Sequence, residues 1–318
     1  MMNSYTRRDF LRLGGELSVV GSLGGYTSFI EPSRLVETRY AVQPPRWAGG
    51  PRLTVAALAD FHAGEHVMPI GRVASIVDRA NAVGADMILL LGDYTTGFYN
   101  VPGNVAAADI ARELKRLSAP FGVYAIIGNH EWWTDEAALQ RKAGPTEMGA
   151  ELLKAGIPVL ANQAVRLEKD GKAFWLAGLD SQWAYHPDGA HDLPATLAMI
   201  TDDAPVLMLA HEPDIFPDLP EHIALTLSGH THGGQVRLFG WSPILMSKYG
   251  NRYIYGHVVE GDKHLIVSGG LGTVGLGPVD FDFINSKLAD PKDWAQFRLY
   301  PRLGVPPEIV VVQLDAPA

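Results

Sequence analysis

Gly229-His230-Thr231-His232-Gly233-Gly234-Gln235 is the stretch that decides the reading of this chain. It follows an apolar run, residues 223–227, with the composition of a buried strand. Two imidazoles one residue apart cannot both be core side chains. On a strand, residues i and i+2 share a face, so His230 and His232 are expected to converge on one spot. The flanking glycines allow a sharp turn there.

Four other apolar runs end in the same way. Residues 53–59 lead into Asp60-Phe61-His62, and residues 87–91 lead into Gly92-Asp93. Residues 123–127 lead into Gly128-Asn129-His130-Glu131, and residues 206–210 lead into His211. Each run therefore stops at a side chain able to ligate a metal. In open α/β sheets the ligand crevice lies just outside the carboxyl ends of the strands. Five such endings point to a single site.

Between these endings the chain alternates strand and helix, then becomes richer in strands. Helical spacing is expected over residues 70–83, 105–117 and 134–155, the last broken near Gly144-Pro145, with a short helix over 191–201. Strands are expected at 158–160, 164–168, 173–178, 235–238, 264–268 and 309–314. Lys169-Asp170-Gly171-Lys172 reads as a hairpin turn. An alternating first half and a strand-rich second half suggest two sheets sharing one site.

Composition narrows the chemistry. The chain has 318 residues, is 47% hydrophobic and carries a formal net charge of -9. That balance argues against nucleic acid as a partner, because a phosphate backbone demands a basic surface. Anionic substrates remain compatible, since bound divalent cations reverse the local field. With no cysteine, disulfides and thiolate metal sites are impossible. Any metal must be held by His, Asn and carboxylate, a set that favours Mn, Fe or Zn.

The amino terminus is of another kind. Arg7-Arg8, then Phe10-Leu11, precede a glycine-dotted apolar segment reaching about Ile30. This resembles a twin-arginine export signal, so an exported, periplasmic or membrane-anchored protein is expected, with the export machinery as a partner. The uninterrupted apolar part, 17–30, is short for a spanning helix. No small-x-small cleavage site stands directly after it, which leaves a retained tether open. Residues 31–51, with Pro32, Pro44, Pro45 and Pro51, read as a linker. The expected division is a signal, anchor and linker over 1–45 and a catalytic domain over 46–318.

Taken together, Asp60-x-His62, Gly92-Asp93, Gly128-Asn129-His130-Glu131, His211 and Gly229-His230-x-His232 resemble the calcineurin-like metallophosphoesterases in order and spacing. The likeness covers nearly all of residues 53–314. The Gly-His-Thr-His-Gly-Gly-Gln variant, the twin-arginine start and Arg302-Leu303-Gly304-Val305-Pro306-Pro307-Glu308-Ile309 are similar to the exported or membrane-associated branch. That branch includes phosphodiesterases and UDP-2,3-diacylglucosamine pyrophosphatases of lipid A synthesis.

The resemblance implies a four-layer α/β/β/α sandwich of two mixed sheets flanked by helices. It implies two divalent metal ions. Asp60, His62 and His232 would hold one, Asn129, His211 and His230 the other, and Asp93 would bridge both. His130 would face the substrate and protonate the leaving oxygen. Two ions about 3.5–4 Å apart clamp the attacking and leaving oxygens of an in-line displacement and lower the pKa of a water enough for attack as hydroxide. Neutral imidazoles bind without cancelling the charge that meets a phosphate, and a histidine titrates in the right range to deliver a proton.

The implied activity is hydrolysis of a phosphodiester or pyrophosphate bond, in a lipid-linked or envelope substrate such as UDP-2,3-diacylglucosamine. Alternatives are a phosphomonoesterase, nucleotidase or phosphoprotein phosphatase on the same site, or a non-catalytic envelope binding module. Glu131 is expected either to fix the His130 tautomer or to cap the following helix. Glu212 stands where the family often has Asn, and Gly269 where relatives often have Arg. Ser268-Gly269-Gly270-Leu271-Gly272-Thr273 lacks the Gly-Lys-Ser/Thr ending of a P-loop. His66, His186, His191, His222, His257 and His264 match no block and are expected to be surface or structural. Residues 278–300 look longer than the family needs, either a substrate-covering loop or tolerated surface. Trp132, Trp133, Trp183, Tyr185, Phe239 and Trp241 crowd the loops after the ligands, and an exposed groove of such residues would favour a hydrophobic substrate.

Overall fold

A computed structural model describes residues 22–64, 68–96, 105–275 and 301–317. Arg7-Arg8, His66 and the 278–300 stretch lie outside the described residues, apart from the apolar run's last part. Among the described residues no helix is long and apolar enough to cross a membrane.

Strand alternation builds the layers. β2 (Leu53–Leu58), β3 (Met87–Leu90) and β4 (Val123–Ala125) run parallel in one sheet. Its order is completed on the other side by β11 (Glu308–Leu314), antiparallel to β2, and β1 (Val36–Val42), parallel to β11. Ala56, Leu58, Ile88 and Leu90 face one way, against the helices. Val55, Ala57, Met87 and Leu89 face the other way, into a second core. Successive side chains on a strand point to opposite faces, so these nearly all-apolar strands must be covered on both.

The second sheet supplies the other wall of that core. It has the order β5-β6-β7-β8-β10-β9. β6 (Lys172–Gly178), β7 (Val206–Leu209), β8 (Ile223–Ser228) and β10 (Lys263–Val267) are parallel. β5 (Gln163–Lys169) and β9 (Gly256–Glu260) pair antiparallel at the edges. Phe174, Leu176, Leu207, Leu209, Leu225 and Leu227 meet the first sheet. Trp175, Ala177, Val206 and Met208 face a third core under the 3₁₀ turn Pro213–Asp218 and a short helix. Truncating any of the inter-sheet leucines to Ala costs about 2–5 kcal/mol. The three stacked cores make four layers, α/β/β/α, as expected.

The helices follow their apolar spacing. In α1 (Ile70–Ala82), Val73, Ile76, Val77 and Ala80 fall on one face and are buried, the i, i+3, i+4, i+7 pattern of an amphipathic helix. Gly84, at φ 66°, lets the chain leave it. α2 (Ala107–Leu114) buries Ile110, Ala111 and Leu114 in the same way. α3 (Asn129–Trp133) is one turn long. The long helical region expected over 134–155 is two helices, α4 (Glu136–Arg141) and α5 (Glu147–Lys154), separated around Gly144-Pro145. α6 (Leu193–Ala198) begins where the Asp192 side chain accepts from the Ala195 amide.

Several expectations are corrected. Residues 36–42 are not linker but the edge strand β1, seven residues in register with β11. Glu31 and Trp47, in the same stretch, are buried. The prolines stand outside the strand, where they punctuate without removing a ladder amide. Residues 235–238 do not form a strand; the chain turns at His232–Gly234 and bridges Val236 to Leu303. Residues 158–160 contribute an isolated bridge to Ala125.

Candidate metal centre

All five ligand-bearing runs end at the same edge of the paired sheets. β2, β3 and β4 bring Asp60, His62, Asp93, Asn129 and His130; β7 and β8 bring His211, His230 and His232. The ladder continues past the strands, with Asp60 N–H donating to Gly92 O and His62 N–H to Asp93 O, both at 3.0 Å. The two sheets are stitched by His230 N–H donating to Asp60 Oδ1 at 2.9 Å. His130 N–H donates to Asp93 Oδ1 at 3.0 Å.

Strand alternation does not bring the histidines together, as the sequence pattern suggested. Asp60, His62, Asp93, His230 and His232 all take positive φ, between 46° and 68°. That left-handed region is sparsely used by non-glycine residues and is a recurrent sign of strain stored at a functional site. Each turn swings its side chain inward at a strand end. Consequently His230 and His232 part. His232 groups with Asp60 and His62, and His230 with Asp93 and His211, each set with donor atoms within 4.8 Å of one another.

Asp93 lies at the centre. Its Oδ2 is 3.2 Å from His211 Nε2, 3.6 Å from His62 Nε2 and 3.9 Å from His130 Nε2. His230 Nδ1 is 2.9 Å from Asn129 Oδ1, and His62 Nε2 is 2.9 Å from His232 Nε2. Glycine makes this crowding feasible: a Cβ on Gly128 would sit 2.2 Å from Asp93 Oδ1, and one on Gly270 2.8 Å from Asp60 Oδ2.

The donor set fits divalent cations. Asp60 Oδ2 and His230 Nε2 are buried without a hydrogen-bond partner, a costly state unless a cation is meant to sit there. His62 Nδ1 lies 3.0 Å from Thr95 O and His211 Nδ1 2.7 Å from Leu91 O. A carbonyl only accepts, so both rings carry a proton on Nδ1 and present Nε2 to the site, the orientation a metal requires. Asn and carboxylate oxygens with imidazoles, and no sulfur, suit Mn, Fe or Zn.

Electrostatics agree with that reading. Burial pushes Asp60 up to about 7 and pushes His62 and His230 down to about 3. Burial would also raise Asp93 and lower His211, but their mutual attraction wins in both. Asp93 is held well below the usual carboxylate range, and His211 well above the usual imidazole range.

The supporting shell contains residues the sequence reading left open or missed. Glu131 does more than either role expected of it. Its carboxylate accepts from the amides of Gly128, Asp93, Tyr94 and Thr95, clamping two ligand loops together. Glu212 accepts from the Ser181 hydroxyl and from the amides of Gln182 and Trp183, which sets the Trp183 ring 4.5 Å from His230. Trp133 stacks beside His130 at 5.2 Å and donates to Trp183 O. Arg302 was missed. It is fully buried, donates to Gly272 O and Val305 O, and places its guanidinium 3.4 Å from His232 Nδ1. In the sequence it is only the first residue of the Arg302–Ile309 stretch, and nothing there gives its side chain a role.

At Gly269, where an arginine was noted as absent, a Cβ would meet Val305 at 2.7 Å, and its amide is bound by Glu308. The space is already taken. Of the remaining histidines, His257 and His264 pair across β9 and β10 at 3.0 Å, away from the ligand turns.

The same residues fall inside a known family. The model of the calcineurin-like phosphoesterase family matches residues 53–261. The metallophosphoesterase YkuE of Bacillus subtilis is 27% identical over 285 residues, 86% of this chain and 93% of that protein. Phosphodiesterase YaeI of Escherichia coli is 29% identical over 280 residues, 85% of this chain and 93% of that protein. Among solved structures, the NAD nucleotidase of Haemophilus influenzae aligns with TM-score 0.45 at 16% identity, over 71% of this chain and 52% of that one. A zebrafish dimetal phosphatase aligns with TM-score 0.42 at 12% identity, over 70% of this chain and 88% of that one. The family match spans every turn that carries a candidate ligand, and the chain belongs to the calcineurin-like phosphoesterases, as a metal-dependent phosphoric ester hydrolase.

Proposed function

We propose that the chain hydrolyses a phosphodiester or pyrophosphate bond in a lipid-linked or envelope substrate, using two divalent ions. Asp60, His62 and His232 would hold one ion, Asn129, His211 and His230 the other, and Asp93 would serve both. The observation that carries this reading is the pair of buried donor groups, Asp60 with His62 and His232 and Asp93 with His211 and His230, with Asn129 against His230 and with Asp60 Oδ2 and His230 Nε2 left unpaired. When bound, the ions supply Lewis acidity for the phosphorus centre and a more acidic water.

The chain's own residues do the rest. Asp93 orients both ligand groups because its loop is pinned by Glu131. His62 and His211 are held as lone-pair donors by backbone carbonyls. His130, anchored by its amide on Asp93 and flanked by Trp133, delivers a proton from its ring to the leaving oxygen. Trp133 and Trp183, beside His130 and His230, give the mouth an apolar wall that excludes water and suits a substrate with an apolar part. Two large rings against the site favour that substrate class over a small monoester.

The test is a panel with purified protein and Mn²⁺, Fe²⁺ or Zn²⁺: bis-p-nitrophenyl phosphate, p-nitrophenyl phosphate and UDP-2,3-diacylglucosamine. Diester or pyrophosphate turnover that Asp93→Ala abolishes is expected. Faster turnover of the monoester would favour the phosphomonoesterase reading, and bound metal without any turnover would favour a binding module.

A further inference from the structure

Directly after the His232–Gly234 turn, the chain makes a two-residue hairpin. Leu238 N–H donates to Trp241 O and Trp241 N–H to Leu238 O, at 2.8 and 3.0 Å. Its central residues, Phe239 and Gly240, have φ 52° and 84°. Such turns prefer Asn or Gly at both positions, because a Cβ is strained there. Here a phenylalanine takes the strained place, and its side chain is fully exposed at 108%. Trp241 is 57% exposed. Among the described residues neither ring makes a side-chain hydrogen bond or a ring contact.

The hairpin has an apolar neighbour. Arg237 N–H donates to Leu303 O, and Arg302 N–H donates to Thr27 O. One short segment therefore joins the hairpin to the helical turn Tyr26–Ile30, whose Phe29 is 75% exposed. That turn ends the apolar run that begins after Arg12. Both elements sit beside the ligand turns, since the Ser242 hydroxyl at the hairpin's base donates to Gly234 O.

The local charge is also out of character. Arg237 and Lys248 flank the hairpin in a chain of formal net charge -9, while Arg252 nearby is paired with Glu260 at 2.7 Å. Convex aromatic tips with basic flanks are the signature of contact with a bilayer interface bearing anionic headgroups. A second copy fits less well. It would bring another strongly negative chain to a protruding two-residue tip that offers little area.

We propose that the Leu238–Trp241 hairpin, with the Tyr26–Ile30 turn beside it, docks this protein on an anionic lipid surface and holds the metal-bearing edge of the sheets toward the bilayer. The proposal stands apart from the reaction assignment, because contact can be read without turnover. The cysteine-free chain allows one probe per molecule. Leu238→Cys and, at the far end of β5, Glu168→Cys are each labelled with an environment-sensitive dye in the full chain. They are then mixed with phosphatidylcholine vesicles, with and without phosphatidylglycerol.

A blue-shifted, brighter label at 238 but not at 168, larger with phosphatidylglycerol and weakened by salt, is the expected result. Adding Phe239→Ser and Trp241→Ser to the Leu238→Cys protein should weaken vesicle binding about tenfold or more, without moving the thermal melt. Three results would overturn the proposal. The 238 label stays in water, whether or not the protein sediments with vesicles; both labels shift alike; or the 238 label shifts without vesicles as protein concentration rises, which would mean self-association.

Discussion

Glu131→Gln is the most searching perturbation of the metal centre, because it changes one atom and no volume. The carboxylate accepts four backbone amides, two on each oxygen: Asp93 and Gly128 on Oε2, Tyr94 and Thr95 on Oε1, at 2.8–3.1 Å. Whichever way a glutamine amide is turned, its NH₂ faces two of those amides. Two hydrogen bonds to a charged acceptor are lost, worth about 1.5–3 kcal/mol each. Part of that loss is offset. Burial pushes Glu131 up to about 7, so a neutral side chain escapes a desolvation penalty. A net cost of about 2–4 kcal/mol remains, which for a domain of this size is a fall of roughly 5–15 °C in melting temperature. The same slack releases Asp93, and loosened support of a metal ligand typically costs about 10–100-fold in metal affinity. The assay is a thermal melt with and without Mn²⁺, together with a Mn²⁺ titration of the apoprotein. A variant that melts within a degree or two of the wild type and binds Mn²⁺ equally tightly would refute the clamp.

Two further outcomes are expected. His130→Ala should lower diester turnover about 10²–10⁴-fold while metal content by elemental analysis is unchanged; parallel loss of metal would make His130 a ligand, as its place near His62 and Asp93 permits. Asp180→Asn should stabilise the protein at pH 7.5 but not near pH 4. Burial first, against the opposing hydrogen bonds from Trp132 and Ser181, raises Asp180 to about 6. The native state then binds the proton more tightly than the unfolded chain, so its stability falls as pH rises from about 4 to 6, by at most about 3 kcal/mol. A denaturant midpoint gap that is the same at both pH values would contradict this.

The amino-acid order determined a good deal by itself. An apolar run that ends in Asp-x-His, Gly-Asp or Gly-Asn-His is a local statement, because the run must be buried and its polar end cannot be. The five runs therefore named every candidate ligand, and their alternation with amphipathic stretches suggested two sheets sharing one site, while the four-layer arrangement came from the family resemblance. Local pattern could not place β1. Val36-Glu37-Thr38-Arg39-Tyr40-Ala41-Val42 is only partly buried and is flanked by prolines, so it carries no strong signal. It is a strand because β11, some 270 residues later, offers it a ladder edge.

Strand alternation did not tell how the ligands divide; only the family resemblance implied a division, and the packed molecule sets His232 beside Asp60 and His62 and His230 beside Asp93 and His211. His230 and His232 share no strand face; left-handed turns send them to different partners, and only the approach of two sheets sets those turns. The capping role expected of Glu131 is present, but its hold on Asp93, Tyr94 and Thr95 and the role of Glu212 were hidden, since the amides they bind become unpaired only where loops from separate strands meet. Arg302 is the extreme case. Sequence shows a basic residue among others near the carboxyl-terminal end, and only the packed molecule puts its guanidinium in the interior against His232. Burial periodicity is written along the chain, whereas the hydrogen-bond debts of strand ends are created by assembly and are settled by whichever side chains arrive there.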